Sequence, residues 1–182
     1  MFIFTKTKIE GVYIIEPKVF GDDRGYFMET YNENDFIKEG ININFVQDNQ
    51  SKSRKGVLRG LHYQKKYPQA KLVRVIKGEV FDVAVDLRKN SKTYGQWVGV
   101  ILTEENKKQF LIPRGFAHGF LVLSETAEFV YKCDEFYHPE DEGGIMYNDQ
   151  SLNIAWPHVD TNIILSERDK NHPSLKENKI EF

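Results

Sequence analysis

The side chains of this sequence that are able to do chemistry are concentrated in three short segments. Residues 47–64 combine amides and charges with Arg59 and His62, residues 112–120 contain a further histidine, and residues 167–169 read Glu-Arg-Asp. Histidine and carboxylate side chains are the common groups of general acid–base catalysis. Each segment alone is also explained by a satisfied turn or a surface charge, but the three together favour a functional site.

Several common catalytic motifs are missing from the sequence. It contains no Gly-x-Gly-x-x-Gly dinucleotide motif, no Gly-Lys-Ser/Thr phosphate loop, no Gly-x-Ser-x-Gly nucleophile elbow and no Cys-x-x-Cys pair. Chemistry must therefore come from histidine, tyrosine, lysine, arginine and carboxylate side chains.

The spacing of Arg59 and His62 sets a geometric condition on such a site. In a regular β-strand, these two side chains would point to opposite faces of the sheet. Gly60 lies between them, and a glycine permits the bulge or bend that brings both side chains to one cavity. The sequence therefore allows a single cavity that contains both groups.

Composition restricts the class of protein. The chain has 182 residues and a formal net charge of -2, which gives no reason to expect nucleic acid or an anionic membrane as a partner. Its one cysteine, Cys133, has no partner for an intramolecular disulfide, and this fits a reducing compartment. No apolar run approaches the ~20 residues of a membrane helix, and the N-terminal run is too short for a signal peptide. We expect a cytoplasmic protein with one domain, residues 1–182.

The pattern of short strands predicts a mainly β fold. Aromatic residues, which favour strands, make up 13% of the chain. The apolar residues at 83 and 85 alternate with Asp82 and Asp86, as in a strand with one polar face. Strands are predicted at residues 13–15, 25–31, 71–77, 79–87, 96–102, 109–112, 117–124 and 128–133. Helices are predicted at residues 32–39 and from Ser166, a candidate N-cap. This regular spacing of strands predicts a sandwich or barrel, here a jelly roll.

Five strings resemble, in order, the dTDP-4-dehydrorhamnose 3,5-epimerase family. They are residues 23–29 (DRGYFME), 47–49 (QDN), 56–62 (GVLRGLH), 112–120 (IPRGFAHGF) and 165–169 (LSERD). The resemblance implies a cupin-like jelly-roll β-sandwich with a few short helices, and a homodimer with strand exchange. It also implies an isomerase of dTDP-L-rhamnose biosynthesis that converts dTDP-4-dehydro-6-deoxy-D-glucose to dTDP-4-dehydro-L-rhamnose. Epimerisation of a single carbon of another dTDP-keto sugar is the alternative within the family.

The resemblance also implies the catalytic groups. A base that removes a hydrogen next to a ketone leaves an enolate, so epimerisation needs a base, a donor at the ketone oxygen and an acid on the opposite face. By resemblance, His62 is the base and Asp169 orients it. Tyr131 is the proton donor, and Lys71 stabilises the enolate oxygen.

Binding of the nucleotide-linked sugar is implied at a second set of positions. Arg59 is the best candidate for the pyrophosphate, which arginine binds through paired hydrogen bonds. By resemblance, Tyr137 stacks on the base, and Arg24 and Glu29 reach the nucleotide partly across the dimer. The residues expected to bind substrate are Arg24, Glu29, Gln47, Asp48, Asn49, Arg59, His118, Tyr137, Glu142 and Arg168. The remaining histidines match nothing in the family and are expected at the surface: His138, His158 and His172.

A comparison with metal-binding cupins predicts no metal. Their second motif, Pro-x-Gly-x-x-His, is present at residues 113–118. Their first motif requires His-x-His, where this sequence has Ala84 and Asp86 in one alignment, and Gln64 two residues after His62 in the other. Three protein ligands are usual for a catalytic metal, so we predict neither a metal nor another cofactor. One alternative is a metal-dependent cupin oxygenase, which metal analysis of the purified protein would test. The other is a non-catalytic sugar-nucleotide-binding module, against which the presence of His62, Asp169 and Tyr131 argues.

Overall fold

In the residues that the structure describes, the chain forms a β-sandwich with one short α-helix. A computed structural model describes residues 1–178, 180 and 182. Its elements are β1 (Phe2–Lys6), β2 (Tyr13–Pro17), β3 (Val19–Asp22), β4 (Gly25–Met28), α1 (Glu33–Lys38), β5 (Gln47–Arg54), β6 (Leu58–Gln64), β7 (Lys71–Lys77), β8 (Glu79–Asp86), β9 (Trp97–Thr103), β10 (Gln109–Ile112), β11 (Phe116–Val122), β12 (Thr126–Cys133) and β13 (Glu142–Gly144). The predicted mainly β, cupin-like fold is confirmed.

Two antiparallel sheets face each other. The first has the strand order β1-β2-β10-β7-β12-β5, and the second has the order β13-β6-β11-β8-β9. One apolar core joins their facing sides, and it includes Val73 and Val75 from β7 and Phe120 from β11. Burial of apolar surface, at ~25 cal/mol per Å², is the main force that holds such sheets together. The sandwich therefore offers two walls, one from each sheet, to any cavity between them.

Most predicted strands lie within one or two residues of the observed ones. β7 and β10 coincide with the prediction, whereas the strand predicted at residues 25–31 ends at Met28. β5 is not predicted, because its sequence is polar throughout and only the exposure of its side chains alternates. The helix predicted at residues 32–39 is observed as α1. Within the described residues, no helix is long and apolar enough to cross a membrane.

The expectation of a polar strand face at Asp82 and Asp86 is wrong. β8 lies between β11 and β9, and both carboxylate residues are fully buried. The outer face of the second sheet is covered by the chain that follows β13, where Leu152 and Trp156 pack. Because both faces of β8 are covered, its carboxylates must find hydrogen-bond partners inside the protein.

Strand β6 is irregular at Gly60, as its sequence allows. The pairing of β6 with β11 shifts register just beyond His118, and Gly60 has a φ of +119°. A Cβ built on Gly60 would lie 2.6 Å from the Cα of Gly119, so the two strands approach more closely here than any other residue permits. Both Arg59 and His62 line one cavity, which confirms the effect expected of the glycine.

Replacing Gly60 with alanine is expected to destabilise the sandwich. The added methyl group would meet backbone atoms of His118 and Gly119 at 2.6 Å, in a backbone conformation that L-residues rarely adopt. We expect the free energy of unfolding in urea to fall by about 2–4 kcal/mol. Gly21→Ala is the matched control, because its Cβ would lie 3.6 Å from its nearest neighbour. Equal stability of the two variants would contradict the need for glycine at position 60.

Candidate active site

A cavity of about 330 Å³ opens between the two sheets. Its first wall comes from β5, β7 and β12, and its second wall comes from β6 and β11. The polar side chains that line it are Gln47, Asn49, Ser51, Arg59, His62, Gln69, Lys71, His118, Tyr131, Tyr137 and Glu142. Most site residues predicted from the sequence are in this set. The predicted residues that lie elsewhere are Arg24, Glu29, Asp48, Arg168 and Asp169.

His62 is held at the cavity by a buried carboxylate. Its Nε2 lies 2.5 Å from Oδ1 of Asp169, which is only 4% exposed. Burial opposes the charge on Asp169, but the hydrogen bond with His62 and smaller contributions from Ser166 and His172 outweigh burial and lower the pKa of the carboxyl group. An ionised carboxylate only accepts hydrogen bonds, so Nε2 carries the imidazole proton and Nδ1 keeps a lone pair. The pair therefore has the arrangement of a general base with a fixed tautomer.

The chain that follows β13 brings Asp169 to β6. Ile164 forms a parallel bridge with Val57, just before β6 begins. Ser166 Oγ then accepts a hydrogen bond of 3.1 Å from the amide of Asp169. The α-helix predicted from Ser166 is not formed, and the short 3₁₀ turn Asp169–Asn171 takes its place. This turn fixes the carboxylate behind the histidine ring.

Tyr131 and Lys71 belong to the opposite wall. They lie on the neighbouring strands β12 and β7, with Nζ of Lys71 5.9 Å from the centre of the Tyr131 ring. Burial raises the pKa of Tyr131 to about 12, so its phenol keeps its proton at neutral pH. Burial also lowers the pKa of Lys71, which makes its ammonium a stronger proton donor than an exposed lysine. A molecule between the walls would have a base on one side and two proton donors on the other.

A second histidine–carboxylate pair borders the cavity and is fully buried. Nε2 of His118 lies 2.9 and 3.0 Å from the two carboxylate oxygens of Asp82. Burial raises the pKa of Asp82 and lowers the pKa of His118, while the attraction between the two groups opposes both shifts. Sequence reasoning missed the role of Asp82, although a carboxylate in the apolar run 79–87 was a signal that it needed a buried partner.

Glu142 joins His62 to two residues at the mouth of the cavity. Its Oε1 lies 3.8 Å from Nδ1 of His62. Its Oε2 accepts a hydrogen bond of 2.9 Å from the Tyr137 hydroxyl and forms an ion pair with Arg168. Arg168 lies outside the cavity lining and reaches the site through its ion pair with Glu142, whereas Tyr137, at 49% exposure, presents much of its ring to solvent.

Amide side chains of β5 and the guanidinium of Arg59 complete the lining. Gln47 Nε2 donates to Asn49 Oδ1 at 3.0 Å, and Gln47 Oε1 accepts from the backbone amide of Tyr137 at 2.9 Å. Arg59 Nε donates to Ser53 Oγ at 3.1 Å. Among the described residues, Arg59 has no carboxylate partner, so its charge is available to an anion in the cavity.

Asp48 does not line the cavity of its own chain, and its expected contact with substrate stays a prediction. Side chains alternate along a strand, so Asp48 points to the opposite face of β5 from its neighbours Gln47 and Asn49. On that face its carboxylate pairs with the ammonium of Lys132 at 2.9 Å.

Two further predicted residues lie at the β3–β4 hairpin, outside the cavity of their own chain. The guanidinium of Arg24, in the hairpin turn, pairs with the carboxylate of Asp22. Glu29 follows β4 and accepts a hydrogen bond of 3.3 Å from the side chain of Asn32. Among the described residues, the two strands of the hairpin pair only with each other.

His172 is buried, so its expected place at the surface is wrong. Its Nε2 lies 3.3 Å from Oδ1 of Asp169, and together with His62 these residues offer possible metal ligands within 4.8 Å of one another. Two ligand atoms of a tetrahedral zinc ion stand about 3.3 Å apart. The 2.5 Å between His62 and Asp169 is instead a hydrogen-bond distance. The absence of a catalytic metal stays a prediction.

A cupin-like sandwich that sets a carboxylate-bound histidine against a tyrosine and a buried lysine defines an acid–base enzyme. Residues 6–177 match the sequence profile of the dTDP-4-dehydrorhamnose 3,5-epimerase family, and the chain belongs to that family. It is therefore an isomerase of the epimerase class, and the resemblance seen in the sequence is confirmed.

Relatives match over nearly the whole chain. The dTDP-4-dehydrorhamnose 3,5-epimerase of Methanothermobacter thermautotrophicus is 56% identical over 180 residues, 98% of this chain and 97% of that protein. A crystal structure of dTDP-6-deoxy-D-glucose-3,5-epimerase from Legionella pneumophila, in complex with dTDP-4-keto-L-rhamnose, is 53% identical with a TM-score of 0.94, over 97% of this chain and 94% of that chain. ChmJ, a 3′-monoepimerase from Streptomyces bikiniensis in complex with dTDP-quinovose, is 35% identical with a TM-score of 0.87, over 93% and 86%.

The phenol of Tyr131 is expected to ionise at higher pH than an ordinary tyrosine. An exposed tyrosine is half ionised near pH ~10, whereas burial raises the pKa of Tyr131 to about 12. The ultraviolet phenolate absorbance of the folded protein should therefore be the same in wild type and Tyr131→Phe at pH ~10. A difference of half a phenolate at that pH would show that the phenol is solvated and loses its proton too easily for a donor.

Proposed function

We propose that the chain converts dTDP-4-dehydro-6-deoxy-D-glucose to dTDP-4-dehydro-L-rhamnose in dTDP-L-rhamnose biosynthesis, by metal-free epimerisation at C3 and C5. Membership of the family and likeness to a structure that holds dTDP-4-keto-L-rhamnose support this substrate. The observation that carries the mechanism is the placement of base and proton donors on opposite walls of one cavity. Inversion requires that a proton leave one face of a carbon and that another arrive on the opposite face.

The proposed reaction begins at the lone pair on Nδ1 of His62. This nitrogen takes a proton from C3 or C5, and the electron pair of the broken C–H bond moves to the C4 ketone oxygen as an enolate. The ammonium of Lys71 donates a hydrogen bond to that oxygen, and Asp169 stabilises the imidazolium. Tyr131 then gives its proton to the opposite face of the carbon. Its phenolate regains a proton from water, and His62 releases the proton that it took.

We assign the nucleotide to the outer part of the cavity. The guanidinium of Arg59, which has no carboxylate partner among the described residues, is suited to the pyrophosphate, and the exposed ring of Tyr137 is suited to the thymine. Stacking of a base on an aromatic ring contributes ~1–3 kcal/mol. The side chains of Gln47 and Asn49 supply hydrogen bonds nearby. The remaining substrate contacts proposed within the same chain are His118, Glu142 and Arg168.

We further propose a homodimer in which the β3–β4 hairpin crosses to the partner. Tyr26 and Phe27 are 59% and 66% exposed, and a lone two-stranded hairpin is at best marginally stable in water. β5 lies at the edge of the first sheet and borders the cavity. Since unpaired strand edges are usually covered, pairing of the hairpin with β5 of the partner would satisfy both elements. It would also bring Arg24 and Glu29 to the partner's site.

The proposed partners are thus the dTDP-4-keto-6-deoxy sugar and a second copy of the chain. The net charge of -2 favours neither nucleic acid nor an anionic membrane. We also propose a cytoplasmic location, which the free, buried thiol of Cys133 supports, because a reducing compartment keeps such a thiol unpaired.

Epimerisation of a single carbon is the second candidate function. The likeness to ChmJ, a 3′-monoepimerase, favours keeping it, since the same fold there serves one carbon. Proton NMR of dTDP-4-keto-6-deoxyglucose incubated with the enzyme in heavy water separates the two functions. Deuterium at both C3 and C5 is the result expected here, and deuterium at one of them alone would select the alternative.

A mixing experiment tests the exchange of the hairpin. Arg24→Ala and His62→Ala homodimers are each expected to be strongly impaired, because every site then lacks one group. After refolding together, about half of the dimers are mixed and one of their two sites is intact, so activity should return to about a quarter of wild type. His62→Ala mixed with Asp169→Ala is the control, because both groups belong to one chain's site. No recovery, or a fully active monomer in light scattering, would contradict the exchange.

Substitution of the base, His62, and of the acid, Tyr131, is expected to affect deuterium exchange and inversion differently. His62→Ala should abolish both turnover and deuterium exchange, because no carbanion forms without the base. Tyr131→Phe keeps the base, so exchange on the face of His62 should continue while inversion falls by ~10²–10⁴-fold, the usual size of a general-acid contribution. Asp169→Asn should lie between the two, since it disturbs the tautomer without removing the ring.

Exchange and inversion are measured in the same NMR sample, which makes the comparison internal. Inversion by Tyr131→Phe at the wild-type rate would reduce Tyr131 to a packed strand residue and leave water or another side chain as the donor.

A further inference from the structure

His172 is a buried histidine that the proposed reaction does not use. It is 9% exposed, and its Nε2 is the one buried side-chain nitrogen or oxygen among the described residues without a hydrogen-bond partner. Its ring is held tightly, because a Cβ on Gly144 would lie 2.4 Å from the ring atoms. A buried nitrogen without a partner is unfavourable unless something binds it.

The unpartnered nitrogen lies beside the carboxylate of the His62–Asp169 pair, at an angle that forms no hydrogen bond with it. Nε2 of His172 lies 3.3 Å from Oδ1 of Asp169, and the rings of the two histidines meet edge-on with their centres 5.5 Å apart. Two imidazole nitrogens and one carboxylate oxygen thus lie within 4.8 Å of one another. This is the donor set that zinc and its neighbours in the transition series prefer.

The distances fit such an ion after the ring of His62 shifts, since the three ligand atoms now lie between 2.5 Å and at most 4.8 Å apart and a tetrahedral zinc ion needs about 3.3 Å for each pair. The 3.3 Å between His172 and Asp169 already equals the separation of about 3.3 Å between two ligands of a tetrahedral zinc ion. The 2.5 Å contact between His62 and Asp169 would have to open by about 0.8 Å. His172 also borders a surface cleft lined by Glu142, Arg168 and Asn171, from which an ion and a water ligand have access.

We propose that His62, Asp169 and His172 form an inhibitory site for a divalent transition-metal ion, represented by Zn²⁺. The ion takes the place of the proton between His62 and Asp169, and a water molecule completes its coordination. The inference rests on the proposed role of His62 as the base.

Inhibition follows from the two nitrogens of one ring. A neutral imidazole bound to metal through Nε2 carries its single proton on Nδ1. The proton that leaves Nε2 therefore reappears on Nδ1, and no net proton is lost from the ring. Nδ1 then has no lone pair with which to take a proton from the sugar. The cavity face of the ring keeps its shape, so substrate binding is unchanged while turnover stops.

The test compares chelated wild type with His172→Phe, which fills the slot beside Gly144 but has no ligand nitrogen. Chelated wild type is expected to have full activity, and Zn²⁺ should lower kcat at least about 10-fold with KM and the Kd of dTDP unchanged. Binding is read separately from activity, by the visible absorption of Co²⁺ and by Zn²⁺ calorimetry. His172→Phe should raise the Kd of Zn²⁺ at least about 100-fold. Mg²⁺, which prefers oxygen ligands, should have no effect.

His158→Phe is the matched control, because it removes an exposed histidine and should bind one Zn²⁺ as wild type does. His172→Asn is a second variant in case the phenylalanine disturbs folding, which circular dichroism reports. Equal Zn²⁺ affinity in wild type and both His172 variants would overturn the site. If Zn²⁺ binds tightly and through His172 but kcat is unchanged, the proposed inhibition is wrong. The same result would also contradict the role of His62 as the base. Loss of activity on chelation, restored by Zn²⁺, would overturn the proposal by making the metal a cofactor.

Discussion

The hydrogen bond between Nε2 of His62 and Asp169 is the interaction on which the site depends. It places the imidazole proton away from the cavity and leaves the lone pair of Nδ1 toward it. The carboxylate comes from the end of the chain, so the bond requires that this segment lie against β6. Gly56 makes that possible, since a Cβ there would lie 2.8 Å from the carbonyl oxygen of Asn162. The tautomer of the base is thus set by the packing of a segment distant in sequence.

Buried charge is the second feature that the sandwich must accommodate. Lys71, Asp82 and His118 lie together between the sheets, where ionised groups lose the hydration that stabilises them. Pairing of His118 with Asp82 offsets part of this cost, but burial still makes the Lys71 ammonium ready to give up its proton. The apolar core elsewhere between the sheets includes Phe110 and Phe129. Its burial stabilises the fold and offsets the cost of burying the Lys71 ammonium. An enolate oxygen near Lys71 would add a negative charge beside this buried ammonium.

Sequence patterns predicted strands that contain apolar residues of their own, and missed β5, which is defined by its neighbours. β7 and β10 have apolar residues that show the strand directly, whereas both faces of β5 are polar, because one lines the cavity and the other meets solvent. The glycine between two candidate site residues indicated that β6 could bulge there, and the structure shows the register shift. The burial of His172 depends on Asp169 and on the slot beside Gly144, neither of which local sequence reveals.

The roles of Tyr131 and Lys71 on the opposite wall were predicted from the family resemblance and not from any local sequence pattern. A tyrosine in a strand is ordinarily a packed residue, and nothing local to Tyr131 distinguishes it from one. Its relation to His62 arises only when two sheets, formed from distant parts of the chain, face each other across the cavity. For Asp48, by contrast, the local alternation of the strand is informative. It places the side chain on the outer face of β5, although both neighbours in sequence line the cavity.

The stereochemistry of the sugar explains how one base can serve two carbons in the proposed reaction. In a gluco-configured ring the hydrogens on C3 and C5 are both axial and lie on the same face, on either side of C4. An imidazole that faces C4 from that side is close to both hydrogens. Either enolate places its charge on the same oxygen, so one lysine stabilises both. In the proposed reaction a second base is therefore not required, and inversion at both carbons needs only that the bound ring shift between His62 and Tyr131.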